Sequence, residues 1–516
     1  MNMKKNITEK EKIIKPNLDD LKINKVFLSV LLKSLWNYPE AMYHILLNSD
    51  AEVVQKDLAS FIVNNFYCNH LSGNYMENNL LYIITMMLKD EINKLDNINQ
   101  VDNFLENSKC GFLLEELQKM PDIKIFFKKV IQKTVETIER TSSFREIIFN
   151  IADLQNELIE LKKEGEFNIM EIDQSINYSK EENDKKVKII NDKFVQKYIP
   201  DITINDIKGV YEKAKEQEKN ELFKYYKKLE KDINSKSDIY SNKMIMKNIF
   251  ETNLSTHILT FYQNDFLKLI SYIEQLLNDL KNNIILLPNS IKYICKIISI
   301  LIKNRFKDIT KTEENAFISK FLIEKLLIPI ISFPSYNALI NDFVISRNTL
   351  TNIKALNFIL KKIFSGKLFI NNSKESEYTP FNWFFLDKID DILFLFKKVI
   401  NVNLPDFIEN YVNDKLPKDY EYDYFNENKC QVYASILISF SINNLLNLIN
   451  GLKKSNDLFQ KKNKKIEIIS KSLEKLNIKQ IQTIDQKLIN DKINKSSKIK
   501  DNNKNKDINK FENIYI

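Results

Sequence analysis

The chain has 516 residues, enough for a large core and for more than one structural unit. Only 6 glycines and 10 prolines punctuate it, too few for a turn-rich sheet or a loop-dominated fold, so the composition predicts a nearly all-helical protein. The net charge of +8 is modest, and of 77 basic residues only Arg140, Arg145, Arg305 and Arg347 are arginines, which permits an acidic partner surface without demanding nucleic acid.

Residues 1–22 read as a polar leader with no signal-peptide core. From residue 23 the pattern turns helical. KVFLSVLLKSLW (25–36) and NNLLYIITMMLKDEINKL (78–95) carry broad apolar faces. CGFLLEELQKM (110–120) and IKIFFKKVIQKTVETI (123–138) read as two helices, and Pro121 marks the start of the second, where a missing N–H costs nothing. Between about 153 and 245 the composition becomes charge-dense, as in YEKAKEQEKNELFKYYKKLEKD (211–232), with opposite charges often four apart. That predicts a charged helical insert, a solvated arm or a coiled-coil-like hairpin able to take a protein partner.

Dense amphipathic helices return from 246 to 455. They include HILTFYQNDFLKLISYIEQLLNDL (257–280), NSIKYICKIISILIKNRF (289–306) after a Pro288 start signal, and LTNIKALNFILKKIF (350–364), which stops at Ser365–Gly366. DDILFLFKKVINV (390–402) and CQVYASILISFSINNLLNLIN (430–450) follow. The Lys/Asn-rich tail, 456–516, reads as largely disordered. The longest apolar run, 284–302, is broken by Pro288, Asn289, Lys292 and Lys296, so no membrane span is expected.

Self-contained chemistry is hard to find. The sequence has no GxxxxGK[ST] loop, no GxGxxG after a strand, no HExxH and no GxSxG. His44, His70 and His257 stand alone, and Cys68, Cys110, Cys295 and Cys430 form no CxxC pair, which predicts buried reduced thiols in a cytoplasmic protein. Neither a metal nor a cofactor is implied, and nucleic acid is not expected as a partner. The residues alone describe an all-helical binding or regulatory module.

One stretch narrows this. KFLIEKLLIPIISFPSYNALI (320–340) is apolar, yet it carries Glu324 and Lys325 and meets Pro329 and Pro334. It resembles the signature helix of Ras-type GTPase-activating (RasGAP) domains, with Lys325-Leu326-Leu327-Ile328-Pro329-Ile330 where the family runs Arg-Phe-Ile-Asn-Pro-Ala. The flanks are similar too, most of all to the IQGAP branch. LPNSIKYICKIISILIKNRF (287–306) resembles the helix before the signature. RNTLTNIKALNFILKKIFSGKLF (347–369) resembles the one after it, with Asn352 and Lys367 at family-type positions. NVNLPDFIENYVNDKL (401–416) is similar to a later IQGAP segment, and FLENSKCGFLLEELQKM (104–120) sits where the family places its finger loop. The resemblance covers roughly 24–455. It implies a discontinuous RasGAP-like domain (23–152 and 246–455) around the 153–245 insert.

The resemblance implies that the chain binds a GTP-loaded small GTPase of Ras, Rho or Rab type. In the family an arginine supplied in trans neutralises charge that builds on the phosphate oxygens during hydrolysis, and is worth about 10³–10⁵ in rate. A second arginine, in the signature helix, holds the finger loop by its carbonyls. Here Glu106 takes the finger position, with Lys109 as the nearby substitute, and Lys325 replaces the supporting arginine without its planar fork. The expected GTPase-binding residues are Glu106, Lys109, Lys325, Pro329, Asn352 and Lys367, with Pro329 ending the signature helix. The expected function is GTPase binding with weak or absent stimulation of hydrolysis. Two alternatives stay open: an activator using Lys109 or an arginine of the GTPase itself, and a helical scaffold that has lost the GTPase site.

Overall fold

The computed structural model describes residues 39–47, 52–66, 78–142, 146–164, 202–213, 227, 229–231, 233–235, 240–252, 254–334, 345–372 and 375–414. Among these residues regular structure is helical throughout, with no strand, as expected from the scarcity of turn residues. The segments 1–22, 25–36 and 430–450 and the tail from 456 lie outside the described residues.

The chain divides into two units, residues 1–67 with 417–516, and residues 68–416. In the smaller unit, α1 (Pro39–Leu47) packs on α2 (Glu52–Phe66), burying Met42, Leu46, Leu58, Phe61 and Ile62.

The larger unit is built on α10 (Asn289–Arg305). Ile291, Ile294, Cys295, Ile297, Ile298 and Ile302 are all fully buried, so this helix is apolar over most of its circumference and must lie inside. It is covered by α3 (Asn78–Asn93), α11 (Lys311–Ser319), α14 (Phe381–Ile400) and α15 (Asp406–Val412). A second layer sets α5 (Pro121–Ser142) between α9 (Ser255–Asn283) and α13 (Arg347–Phe364). Pro121 opens α5, as the sequence predicted. No single described helix is long and apolar enough to cross a membrane; α9 and α10, bent by 101° at their junction, pass that test only as a pair.

Residues 146–150 run without helix or ladder, so their buried N–H groups need side-chain acceptors. Asn352 Oδ1 accepts from the Ile147 N–H (2.6 Å), and Asp265 Oδ2 from that of Ile148 (3.2 Å). Asn352 Nδ2 donates to Ser142 Oγ (2.6 Å), which brackets the end of α5 to the strap that follows.

The charge-dense insert is not simply a solvated arm where it is described. α6 (Ile151–Glu164) buries Leu154 and Leu158 completely and packs on α9 and α8 (Lys243–Phe250). α7 (Ile204–Lys213) buries Ile207 and packs on α14. Periodic charge marked the outer faces; the few aliphatic residues between them dock the helices.

Candidate functional site: a tip, a wide helical turn and two clamped lysines

The loop at residues 104–108 leaves a short 3₁₀ helix (Ile98–Asn103) and enters α4 (Lys109–Leu117). Phe104 and Leu105 are buried, and the Phe104 ring meets Phe317 of α11 edge-on at 5.4 Å. Leu105 and Asn107 both take left-handed backbone, with φ of 63° and 48°. For leucine this costs on the order of 1–2 kcal/mol, so packing must enforce it. Part of that packing is Gly111, where a β-carbon would stand 2.3 Å from the Leu105 carbonyl oxygen. Ser108 caps α4, its Oγ accepting from the Gly111 N–H at 2.9 Å. Glu106 is left exposed at the tip, and Lys109, half-buried, opens the first turn of α4.

Behind the loop runs the helix that the sequence expected to stop at Pro329. It does not stop there. α11 passes into a π-helical segment, Lys320–Leu327, then into α12 (Ile328–Ser332), and the chain leaves the helix only at Phe333–Pro334. The wide turn explains how Pro329 is tolerated. A proline inside an α-helix collides with the carbonyl four residues back, and i→i+5 pairing, seen in the Ile328 N–H bonding to the Ile323 carbonyl, draws that carbonyl ring open. It also spreads two adjacent charges onto two neighbours. Glu324 pairs with Lys320 (3.1 Å) and with Lys361 of α13 (3.6 Å), while Lys325 Nζ donates to Glu115 of α4 at 2.6 Å.

The role expected of Lys325, donation to loop carbonyls, is therefore replaced by an ion pair with the helix behind the loop. A guanidinium-to-carbonyl tie does exist close by. Arg305, at the end of α10, donates from Nε and Nη2 to the Leu95 carbonyl (3.3 and 3.0 Å), just before the 3₁₀ helix. Nothing local in the sequence signals the reach of Arg305, 210 residues back along the chain.

Lys367 follows a helix stop of the expected kind. Gly366 has φ of 70°, and the Gly366 and Lys367 N–H groups bond to the Ile363 and Lys362 carbonyls at 3.1 and 3.3 Å. The Lys367 side chain reaches Asp102 of the 3₁₀ helix at 2.6 Å. Lys325 and Lys367 are thus clamped to the elements on either side of the 104–108 loop. Asn352 is not part of this surface. It is 1% exposed and occupied by the bracket described above, so it acts on the site only through the fold. Pro329 is half-buried on the same helix as Lys325. Cys110, under the loop, is fully buried, and burial pushes its thiol well above the ordinary range. Among the described residues no group of three or more His, Cys, Asp or Glu is placed to hold a metal.

The family model for GTPase-activator proteins of Ras-like GTPases, RasGAP, matches residues 83–365, which is more than half of the chain. The chain belongs to the RasGAP family. The matched span takes in the tip, α4, the π segment and α13, and ends two residues before Lys367. This RasGAP protein is accordingly a regulator of Ras-like GTPases, and its partner is a small GTPase. No curated protein matches the chain. Of the three described arginines in this RasGAP chain, Arg140 and Arg347 are exposed on α5 and α13 and Arg305 is tied to Leu95, so none stands in the 104–108 loop.

Proposed function

We propose that this RasGAP chain docks a GTP-loaded small GTPase of Ras or Rho type and stimulates its hydrolysis weakly or not at all. The docking surface in this reading comprises Glu106 and Lys109 at the tip, the Lys325 and Pro329 face of the signature helix, and Lys367, with Asn352 supporting from the core. One observation carries it: the exposed charged side chain on the 104–108 loop is a carboxylate. A finger works by placing positive charge against phosphate oxygens, and a carboxylate there has the wrong sign. The resemblance to the IQGAP branch, which implies a groove kept without its own finger arginine, points the same way.

The test mixes the full chain with GTP-loaded Ras, Rho and Rab proteins and follows binding together with single-turnover hydrolysis. Binding that depends on GTP, with hydrolysis within about tenfold of the intrinsic rate, is the expected result; a jump of about 10³ or more would show a working finger. Were Lys109 that finger, Lys109→Ala would abolish the jump.

A further inference from the structure

We propose that Glu106 selects the partner: it docks against a cation that the GTPase itself brings, an arginine or lysine on the rim of its nucleotide pocket. This rests on the docking reading above and deepens it by fixing the charge of the partner's surface.

The carboxylate is displayed and unspent. Buried Phe104 and Leu105 hold the chain on one side of it and the Ser108 cap holds it on the other, so the tip has little room to withdraw. The Glu106 side chain makes no hydrogen bond or ion pair among the described residues; only its backbone N–H is used, on the Asn103 carbonyl at 3.2 Å. Three cations near the loop are already engaged. Lys325 is on Glu115 and Lys367 is on Asp102, each at 2.6 Å, and Arg305 is on the Leu95 carbonyl. Beside these engaged cations, Glu106 is an exposed charge that the described residues leave unpaired.

Docking excludes water from the tip, and a carboxylate stripped of water with no opposing charge is expensive. Phosphate oxygens would repel it. A guanidinium on the partner would satisfy it best, because its planar fork bonds both carboxylate oxygens. Glu106 thus works by rejection as well as attraction: a GTPase with an acidic rim at this point meets like charge and is turned away.

The experiment measures the affinity of the full chain for GTP-loaded small GTPases sorted by the charge of that rim, at low and at physiological ionic strength. Basic-rim partners are expected to bind and acidic-rim partners to fail. Glu106→Gln should weaken binding about tenfold, chiefly at low salt, and Glu106→Arg should weaken it further. Reversing the partner's cation to glutamate should restore binding to the Glu106→Arg chain. Glu116→Gln, which removes the same charge from α4, should bind as wild type; a loss equal to that of Glu106→Gln would reduce the effect to net charge and overturn the proposal. A GTPase that binds Glu106→Gln as tightly as wild type leaves docking intact and overturns the role of Glu106 alone. A folded chain that binds no GTPase in any nucleotide state overturns docking, and this proposal with it.

Discussion

Gly111 has no room for a side chain, and the reason is a backbone oxygen rather than a flexible neighbour. Gly111→Ala must push the Leu105 carbonyl aside, disturbing the one loop that presents Glu106. The expected cost is about 1–3 kcal/mol in thermal unfolding, with partner affinity falling by more than stability alone explains. Asn352→Ala leaves the Ile147 N–H without its acceptor and removes the tie to Ser142, for about 1–3 kcal/mol, and should lower stability without altering which GTPases bind. The sequence marked Asn352 by its place in a helix resembling the family's; that its amide faces inward onto a strap 205 residues away is set by tertiary packing. Glu377 was not singled out by sequence at all. Burial raises its carboxyl above the ordinary value, and the Asn150 amide bonded to it at 2.8 Å offsets only part of that. The folded state therefore holds this proton more tightly than the unfolded chain, so stability is greatest below the ordinary carboxylate value and falls as pH rises through the raised one. Glu377→Gln, whose amide oxygen still accepts from Asn150, should melt higher than wild type at neutral pH and converge with it in acid.

Helix boundaries were legible where the signal is local. Pro121 starts α5 and Ser365–Gly366 ends α13 because a missing N–H and a left-handed φ are properties of single residues. The signature helix was misread at Pro329 because an α-helical rule was applied to a turn that pairs i→i+5, and the register of Lys320–Leu327 depends on what lies on both sides of it. Pro329→Ala separates these causes. It supplies an N–H at residue 329 and removes the ring that favours the open turn. The segment is expected to tighten toward α-helix, giving a protected amide at 329 in hydrogen exchange and a melting temperature no lower than wild type. Tightening also rotates Lys325 off Glu115, so GTPase affinity should fall. Lys325 staying on Glu115, with GTPase affinity unchanged, would show that the wide turn is imposed by its neighbours and not by the proline.

At the scale of the larger unit, α10 and α11 are joined by a buried charge that composition hid. Glu314 is 1% exposed, accepts from the Ser299 hydroxyl, and faces Lys311 at 2.9 Å and Lys303 at 3.2 Å. In the sequence it is one acid in a polar TEEN turn, indistinguishable from its capping neighbour Glu313. Such a junction ties α10 to α11 in the centre of the unit, whereas α4 is short and follows two left-handed residues. Two thiols report on this contrast. Cys110 in α4 and Cys295 in α10 are both fully buried, and burial raises both thiols, so alkylation must wait for opening. A unit that opens only as a whole would label them together. The packing predicts instead that Cys110 labels first, about tenfold or more ahead of Cys295, through local release of the loop and α4. Timed alkylation read peptide by peptide decides between these. A docked GTPase should slow Cys110 selectively, because the partner holds shut the element that otherwise opens earliest.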